Sequence, residues 1–280
     1  MKFHKDQLGF HLILLIMSLF LTLPILFIVN HAFKPFTELF AYPPTFFVKT
    51  PTLENFRMLF QFSSESGIPM SRYLFNSLFT TTAVILLMLF ISSLAAFALS
   101  KLQFKGKHTF NKINTLALMF VPIAVMIPRF LIIEQLGIYN TYLAHIIPML
   151  AMPVGIFLLK QFMDQIPDDL IEASKMDGGG NWRVYWNVML PLVRPALATV
   201  AILTFQASWG NTESSSIFMD DESLRTLPFY MNTLIGQSGN IVAGAGLSAV
   251  VGLIMFVPNL ILFVILQNKV MDSMAHTGIK

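Results

Sequence analysis

From Tyr73 to Ser100 the chain reads YLFNSLFTTTAVILLMLFISSLAAFALS, with no charged side chain along the way. A helix crossing a hydrocarbon layer about 30 Å thick needs roughly 20 mostly apolar residues. This stretch supplies them, so the polypeptide belongs in a bilayer. Working outward, five more runs pass the same test: Leu8 to Asn30, Ile113 to Gln135, Tyr142 to Phe162, Leu192 to Trp209 and Ala245 to Gln267. Their β-branched content is no obstacle, because lipid forces each backbone polar group to find its partner within its own helix. The expected fold is an all-α membrane protein of six transmembrane helices, one domain over residues 1–280. Pro24, Pro122, Pro128, Pro148, Pro153 and Pro258 interrupt the runs and predict bends.

Composition agrees and excludes other classes. Apolar residues make up 55% and charged residues 12%, with a mean hydropathy of +0.68. The basic excess of three charges is far too small for a nucleic-acid footprint. With no cysteine there are no disulfides, thiolate metal sites or cysteine nucleophiles. The first apolar run is long enough to span and lacks a small-residue cleavage site. No GxxxxGK[ST] phosphate loop occurs, so ATP hydrolysis is not expected here; no HExxH pair or carboxylate cluster has metal-ligand spacing. The chain is expected to carry no catalytic residue, no metal and no cofactor.

Lysines and arginines set the orientation. With the N terminus inside, Lys2, Lys5, Lys101, Lys105, Lys107, Lys112, Lys160, Lys175, Arg183, Arg194, Lys269 and Lys280 fall inside, 12 of the 18 basic residues. Lys34, Lys49, Arg57, Arg72, Arg129 and Arg225 fall outside or near the outer face. The short loop from Lys101 to Lys112 has four lysines and no acid, which is where the positive-inside rule is strongest. Both termini are therefore expected in the cytoplasm. Two long outer segments, Asn30 to Arg72 and Gly210 to Gly244, read either as ordered caps or as docking surfaces for an external partner.

Between the fourth and fifth runs stands IPDDLIEASKMDGGGNWRVYWNVMLPLVRP, Ile166 to Pro195. Residues 167–191 read as two short cytoplasmic helices. Pro167, Asp168 and Asp169 start the first, with acids where a helix N terminus is partly positive. Gly178 to Gly180 end it by supplying a left-handed cap. Trp182, Tyr185, Trp186, Met189 and Leu190 then recur at i, i+3, i+4, i+7 and i+8, one apolar face suited to lie on the base of the membrane domain. In the first helix, Glu172, Ala173, Ser174 and Lys175 set small side chains beside charge. That pattern fits a docking helix or an ordinary amphipathic loop helix.

The segment resembles the EAA motif of ABC-importer permeases, which runs Glu-Ala-Ala, then Asp-Gly-Ala, then Leu-Pro. Here it stands as Glu172, Ala173, Ser174, Asp177, Gly178, Gly179, Leu190 and Pro191. The likeness covers nearly the whole chain and points to the carbohydrate branch, the maltose-permease-like second subunit. Phe33 with Lys34, PTLENF from Pro51, Asn76 with Ser77, AAFALSKLQFKGK from Ala95, LGIYNTY from Leu136, FLLKQF from Phe157, Leu227 with Pro228, and the final Gly278-Ile279-Lys280 carry it. Ser174 and Gly179 depart from the motif with equally small residues. The family's Trp-Asn pair appears as Trp209, Gly210 and Asn211, and Arg129 stands where an apolar residue is usual.

The resemblance implies a permease subunit of an ABC importer in a bacterial or archaeal cytoplasmic membrane. Its implied partners are a second permease, two ATPase subunits carrying ATP and Mg, and an extracytoplasmic sugar-binding protein. Glu172, Ala173, Ser174, Asp177, Gly178 and Gly179 are the expected ATPase-coupling residues, and Trp182, Tyr185, Trp186, Leu190 and Pro191 the anchor of that helix. Gln206, Trp209, Asn211 and Asn259 are candidates for the sugar path. Almost no charge falls in the middle thirds of the spans, which suits a neutral sugar. It disfavours the alternative, an ion-coupled secondary carrier or channel subunit, whose ion needs a midplane charge. His145 is expected to serve helix packing, Arg129 and Glu134 to snorkel or to pair with each other, and Gly244, Gly246 and Gly252 to permit close helix approach.

Overall fold

Long apolar runs satisfy their backbone hydrogen bonds internally only as helices, and every regular element among the described residues is helical. The computed structural model describes residues 8–65, 67–237 and 241–277. The expectations resting on Lys2, Lys5 and residues 278–280 lie outside the described residues, as does the side chain of Lys269. In chain order the helices begin with α1 (Leu8–Ala32), α2 (Phe36–Leu39), α3 (Glu54–Glu65), α4 (Met70–Lys101) and α5 (Lys107–Ala117). They continue through α6 (Met126–Gln135), α7 (Tyr142–Ile146), α8 (Pro153–Asp164), α9 (Asp169–Met176) and α10 (Asn181–Val184). Last come α11 (Leu190–Leu192), α12 (Arg194–Trp209), α13 (Glu213–Phe218), α14 (Leu227–Gln237) and α15 (Ile241–Thr277).

Three helical stretches, Gly9–Ala32, Met70–Lys101 and Gly244–Asn268, are each long and apolar enough to cross a membrane. Two bent pairs bring the number to five if each is one span: Tyr142–Leu150 with Pro153–Asp164, bent by 43°, and Asn181–Leu192 with Arg194–Trp209, bent by 77°. The run expected as one helix from Ile113 to Gln135 is broken instead. Helix α5 ends at Ala117, Val121 is extended (φ −77°, ψ 128°), and Pro122 opens a tight 3-10 turn before α6. A proline lacks the N–H a helix interior needs and pushes the residue before it out of the α region. The same rule breaks the fourth run ahead of Pro153, and α12 begins at Arg194 with Pro195 in its first turn.

Two units divide the chain: Met1–Met70 with Met231–Pro258, and Ser71–Tyr230 with Asn259–Lys280. In the first, α1 displays apolar side chains along nearly its whole length, and the segment after it is tied down by polar contacts. Asn55 of the PTLENF stretch is buried and donates to the carbonyls of Ala32 and Lys34 at 3.1 and 2.8 Å, capping the end of α1. Gly246 passes so near that a Cβ there would lie 2.6 Å from Asn55 Oδ1, a close approach that only glycine permits. Lys34 is buried, with its ammonium on the Thr45 carbonyl. The Glu38 carboxylate accepts from the amides of Lys49 and Thr50 and from the Thr50 hydroxyl.

In the second unit, residues 210–230 form an ordered cap knit to α4, α6 and α7. Asn76, fully buried, donates to the carbonyls of Ser223 and Arg225, both at 2.8 Å, and accepts from the Tyr142 hydroxyl at 2.7 Å. Ser77 accepts from the Leu227 amide at 2.8 Å. Asn140, in the left-handed region at φ 57°, accepts from the amides of Asp220 and Asp221. The ring of Tyr73 stacks on that of Tyr230 at 4.3 Å. His145 bridges Ser214 Oγ (2.8 Å) and the Leu224 carbonyl (3.0 Å), the packing duty expected of it. Arg129 does not pair with Glu134; it reaches Glu213 of the cap at 2.9 Å. The stretches Asn76-Ser77 and LGIYNTY that carried the resemblance are therefore the fastenings of this cap.

Candidate functional site

The 167–191 segment is built on a core at the C-terminal end of α4. Ala96 and Phe97 pack there with Leu159, Met163, Ile171, Val184, Tyr185, Met189 and Val193. Two polar links, both unforeseen in the sequence, fasten it. Lys101, the last residue of α4, turns its buried ammonium onto the Ile166 carbonyl (2.6 Å) and the Asp168 carboxylate (2.7 Å). The buried hydroxyls of Ser93 and Tyr185 meet at 2.7 Å. Lys101 was legible only as one basic loop residue among four, and Ser93 as one small polar residue in an apolar span.

Helix α9 buries only Ile171 in this core. Glu172, Ala173, Lys175, Met176, Asp177 and Gly178 are exposed, and Ser174 is half-buried. Its end has the expected glycine chemistry: Gly178 sits at φ 80°, its amide donates to the Lys175 carbonyl at 3.0 Å, and Gly179 N–H reaches back to Ser174 O at 2.9 Å. Those two bonds make a Schellman cap, which satisfies carbonyls the last turn otherwise leaves open. A Cβ on Gly179 would lie 2.6 Å from Ser174 O and 3.0 Å from its hydroxyl. The two departures from the motif thus touch, and the missing methyl at 179 makes room for the close turn around Ser174. Met176, 88% exposed at the tip of α9, was not singled out from sequence; it offers a flexible apolar contact beside the charges.

The second helix departs from the expected single apolar stripe. Tyr185–Met189 form a π-helical turn. The wider turn shifts the phase, so Val184, Tyr185, Met189 and Val193 are buried while Trp182 and Trp186 are 62% and 52% exposed. Each indole packs edge-on against Tyr185, at 5.9 and 5.2 Å. Leu190 and Pro191 are half-buried. Tyr185 is the anchor, and the tryptophans flank it from the outside.

The four path candidates fare differently. Gln206 is exposed on α12. Trp209 is 1% exposed and stacked on Phe205 at 5.7 Å, so its ring is packed within this chain. Asn211 accepts from the Ser214 amide at 2.9 Å and fastens the start of α13. Asn259 is half-buried on α15.

The family described as "Binding-protein-dependent transport system inner membrane component" matches residues 112–270. The arabinooligosaccharides transport system permease protein AraQ of Halalkalibacterium halodurans is 30% identical over 92% of this chain and 90% of its own. The trehalose/maltose transport system permease protein MalG of Thermococcus litoralis is 32% identical over 82% of this chain and 81% of its own. In fold, the chain is similar to one from the crystal structure of a bacterial ABC transporter involved in the import of the acidic polysaccharide alginate, with a TM-score of 0.79, 20% identity, and coverage of 96% of this chain and 99% of that one. A family match over more than half the chain, joined to relatives aligned along most of it, makes this protein a member of the binding-protein-dependent transport system inner membrane components, the permease subunits of ABC transporters.

Proposed function

We propose that this permease imports a sugar or oligosaccharide and takes its driving force from separate ATPase subunits through α9. The single observation that carries the coupling role is the form of that helix: one buried residue, an exposed Glu172–Gly178 face, a stiff glycine cap, and a start clamped to α4 by Lys101. ATP energy reaches a substrate only through an element that binds the ATPase differently in two states of the cycle. A short capped helix, free on one face and packed on the other, meets that need. The carbohydrate reading is supported by relatives named for arabinooligosaccharides and trehalose/maltose.

In this reading the chain crosses the membrane six times, the broken segment 113–135 counting as one passage, with both termini in the cytoplasm. A second permease completes the path, an external sugar-binding protein delivers substrate, and the two ATPases bring ATP and Mg. The exposed indoles of Trp182 and Trp186 suit the headgroup layer, where amphipathic rings concentrate. The test is Glu172→Lys: the variant should insert and keep its thermal midpoint, yet lose ATPase co-purification and uptake by at least tenfold. Undiminished uptake would remove the coupling role from this helix.

A further inference from the structure

Beside the core that carries α9, a separate cleft of about 370 Å³ opens between α4, α5 and α8. Ala95, Ala98, Leu99, Phe110, Ile113 and Ala117 supply most of its wall. Its one polar side chain, Asn114, is engaged, donating to the Pro153 carbonyl at 3.3 Å. At its mouth Phe104 and Phe110 stand 6.3 Å apart, and Phe104 also borders a polar recess lined by Gln103, Gly106, Lys107, His108 and Thr109. Helix α5 is two-faced: Phe110, Ile113 and Ala117 line the cleft, while His108, Lys112 and Thr115 edge a separate groove. An apolar side next to a basic edge suits the boundary between acyl chains and headgroups.

The stretch that borders the mouth is basic. Residues 101–112 hold four lysines and no acid. Two are already engaged: Lys101 on Asp168, and Lys107 on the carbonyls of Ser100 and Leu102 at 3.1 and 3.0 Å. Lys105 and Lys112 are exposed and make no ion pair among the described residues. An occupant that complements both parts has an apolar chain for the cleft and a negative head for the lysines. We propose that an anionic phospholipid occupies this site, one acyl chain lying against Ala98, Ile113 and Ala117 and its phosphate beside Lys105, with Lys112 adding to the attracting field.

The test needs no transport measurement and stands apart from the coupling role of α9. The full chain, purified with whatever subunits accompany it, is scored by native mass spectrometry for retained phosphatidylglycerol and phosphatidylcholine of matched acyl chains. Phosphatidylglycerol should be kept in preference, and Lys105→Gln with Lys112→Gln should weaken it roughly fivefold per lysine removed. Ala117→Phe, which fills the cleft, should lower retention of both lipids; excess inorganic phosphate should displace neither. Equal retention of the two lipids, indifference to the double substitution, or displacement by inorganic phosphate overturns the proposal. So does cross-linking from a cysteine at Ile113 to an accompanying subunit, since protein then fills the cleft.

Discussion

The 210–230 cap and helix α9 are both built from short helices strung between longer apolar ones, yet they are held in opposite ways. The cap is pinned by directed polar bonds: Asn76 makes three, and Ser77, Asn140 and His145 add more from α4 and from the 136–146 stretch. Helix α9 is held by one buried isoleucine and by Lys101 at its start. A buried hydrogen bond is geometrically exacting and costly to leave half-made, so the cap is a fixed form. Helix α9, seated on one apolar contact and clamped at its start, shifts with the end of α4 without breaking a network of directed bonds. The difference teaches where motion is admissible: at α9, with the cap carried as a rigid piece.

The strongest way to break this contrast is Asn76→Leu. It orphans two carbonyls and a tyrosine hydroxyl, and should destabilise the protein by about 3 kcal/mol, read as a lowered thermal midpoint in detergent. A midpoint unchanged within error would mean that the cap is not polar-locked. Gly178→Pro comes next. It removes the N–H given to Lys175 and forces φ from 80° to about −65°, at a local cost of about 2 kcal/mol. ATPase co-purification should fall while the global midpoint barely moves. Tyr185→Phe loses only the bond to Ser93 and should cost about 1 kcal/mol; most of that cost should vanish in a Ser93→Ala background, where the partner is gone.

The smallest effect concerns pH. The Ser223 hydroxyl and amide hold the Asp221 carboxyl below its ordinary value. A carboxyl depressed in the folded state contributes stability above its unfolded value and loses it as pH falls through the folded one. Acid below the usual carboxylate range, and not mild acid above it, should therefore loosen the cap, seen as faster proteolysis near residue 221. Asp221→Asn should flatten that dependence, and an equal response in the variant would remove Asp221 as its source.

The sequence made some of this plain and hid the rest for physical reasons. Helices α1, α4 and α15 begin and end within a few residues of their expected places, except that α15 runs ten residues further, because continuous apolarity is a local signal. The glycine cap of α9 was equally local. The break after Ala117 was signalled by Pro122, but a proline within an apolar run reads equally well as a bend. A 3.6-residue period sets Trp182 and Trp186 on one stripe with Tyr185 and Met189, and the π turn at Tyr185–Met189 that breaks this period carries no sequence signal. The bonds from Asn76 to Ser223 and Arg225 join residues about 150 positions apart, and no periodicity announces such a pairing.

One further consequence lies in α4 itself. Its 32 residues run from Met70 to Lys101 without a proline, while other apolar runs are broken or carry one. At 1.5 Å per residue, about 37 Å separates Asn76 from Lys101, and each holds the end of a different short helical assembly. The helix is thus a strut with a clamp at either end. A tilt imposed at its lysine end is delivered to the cap as leverage, with no joint in between to absorb it.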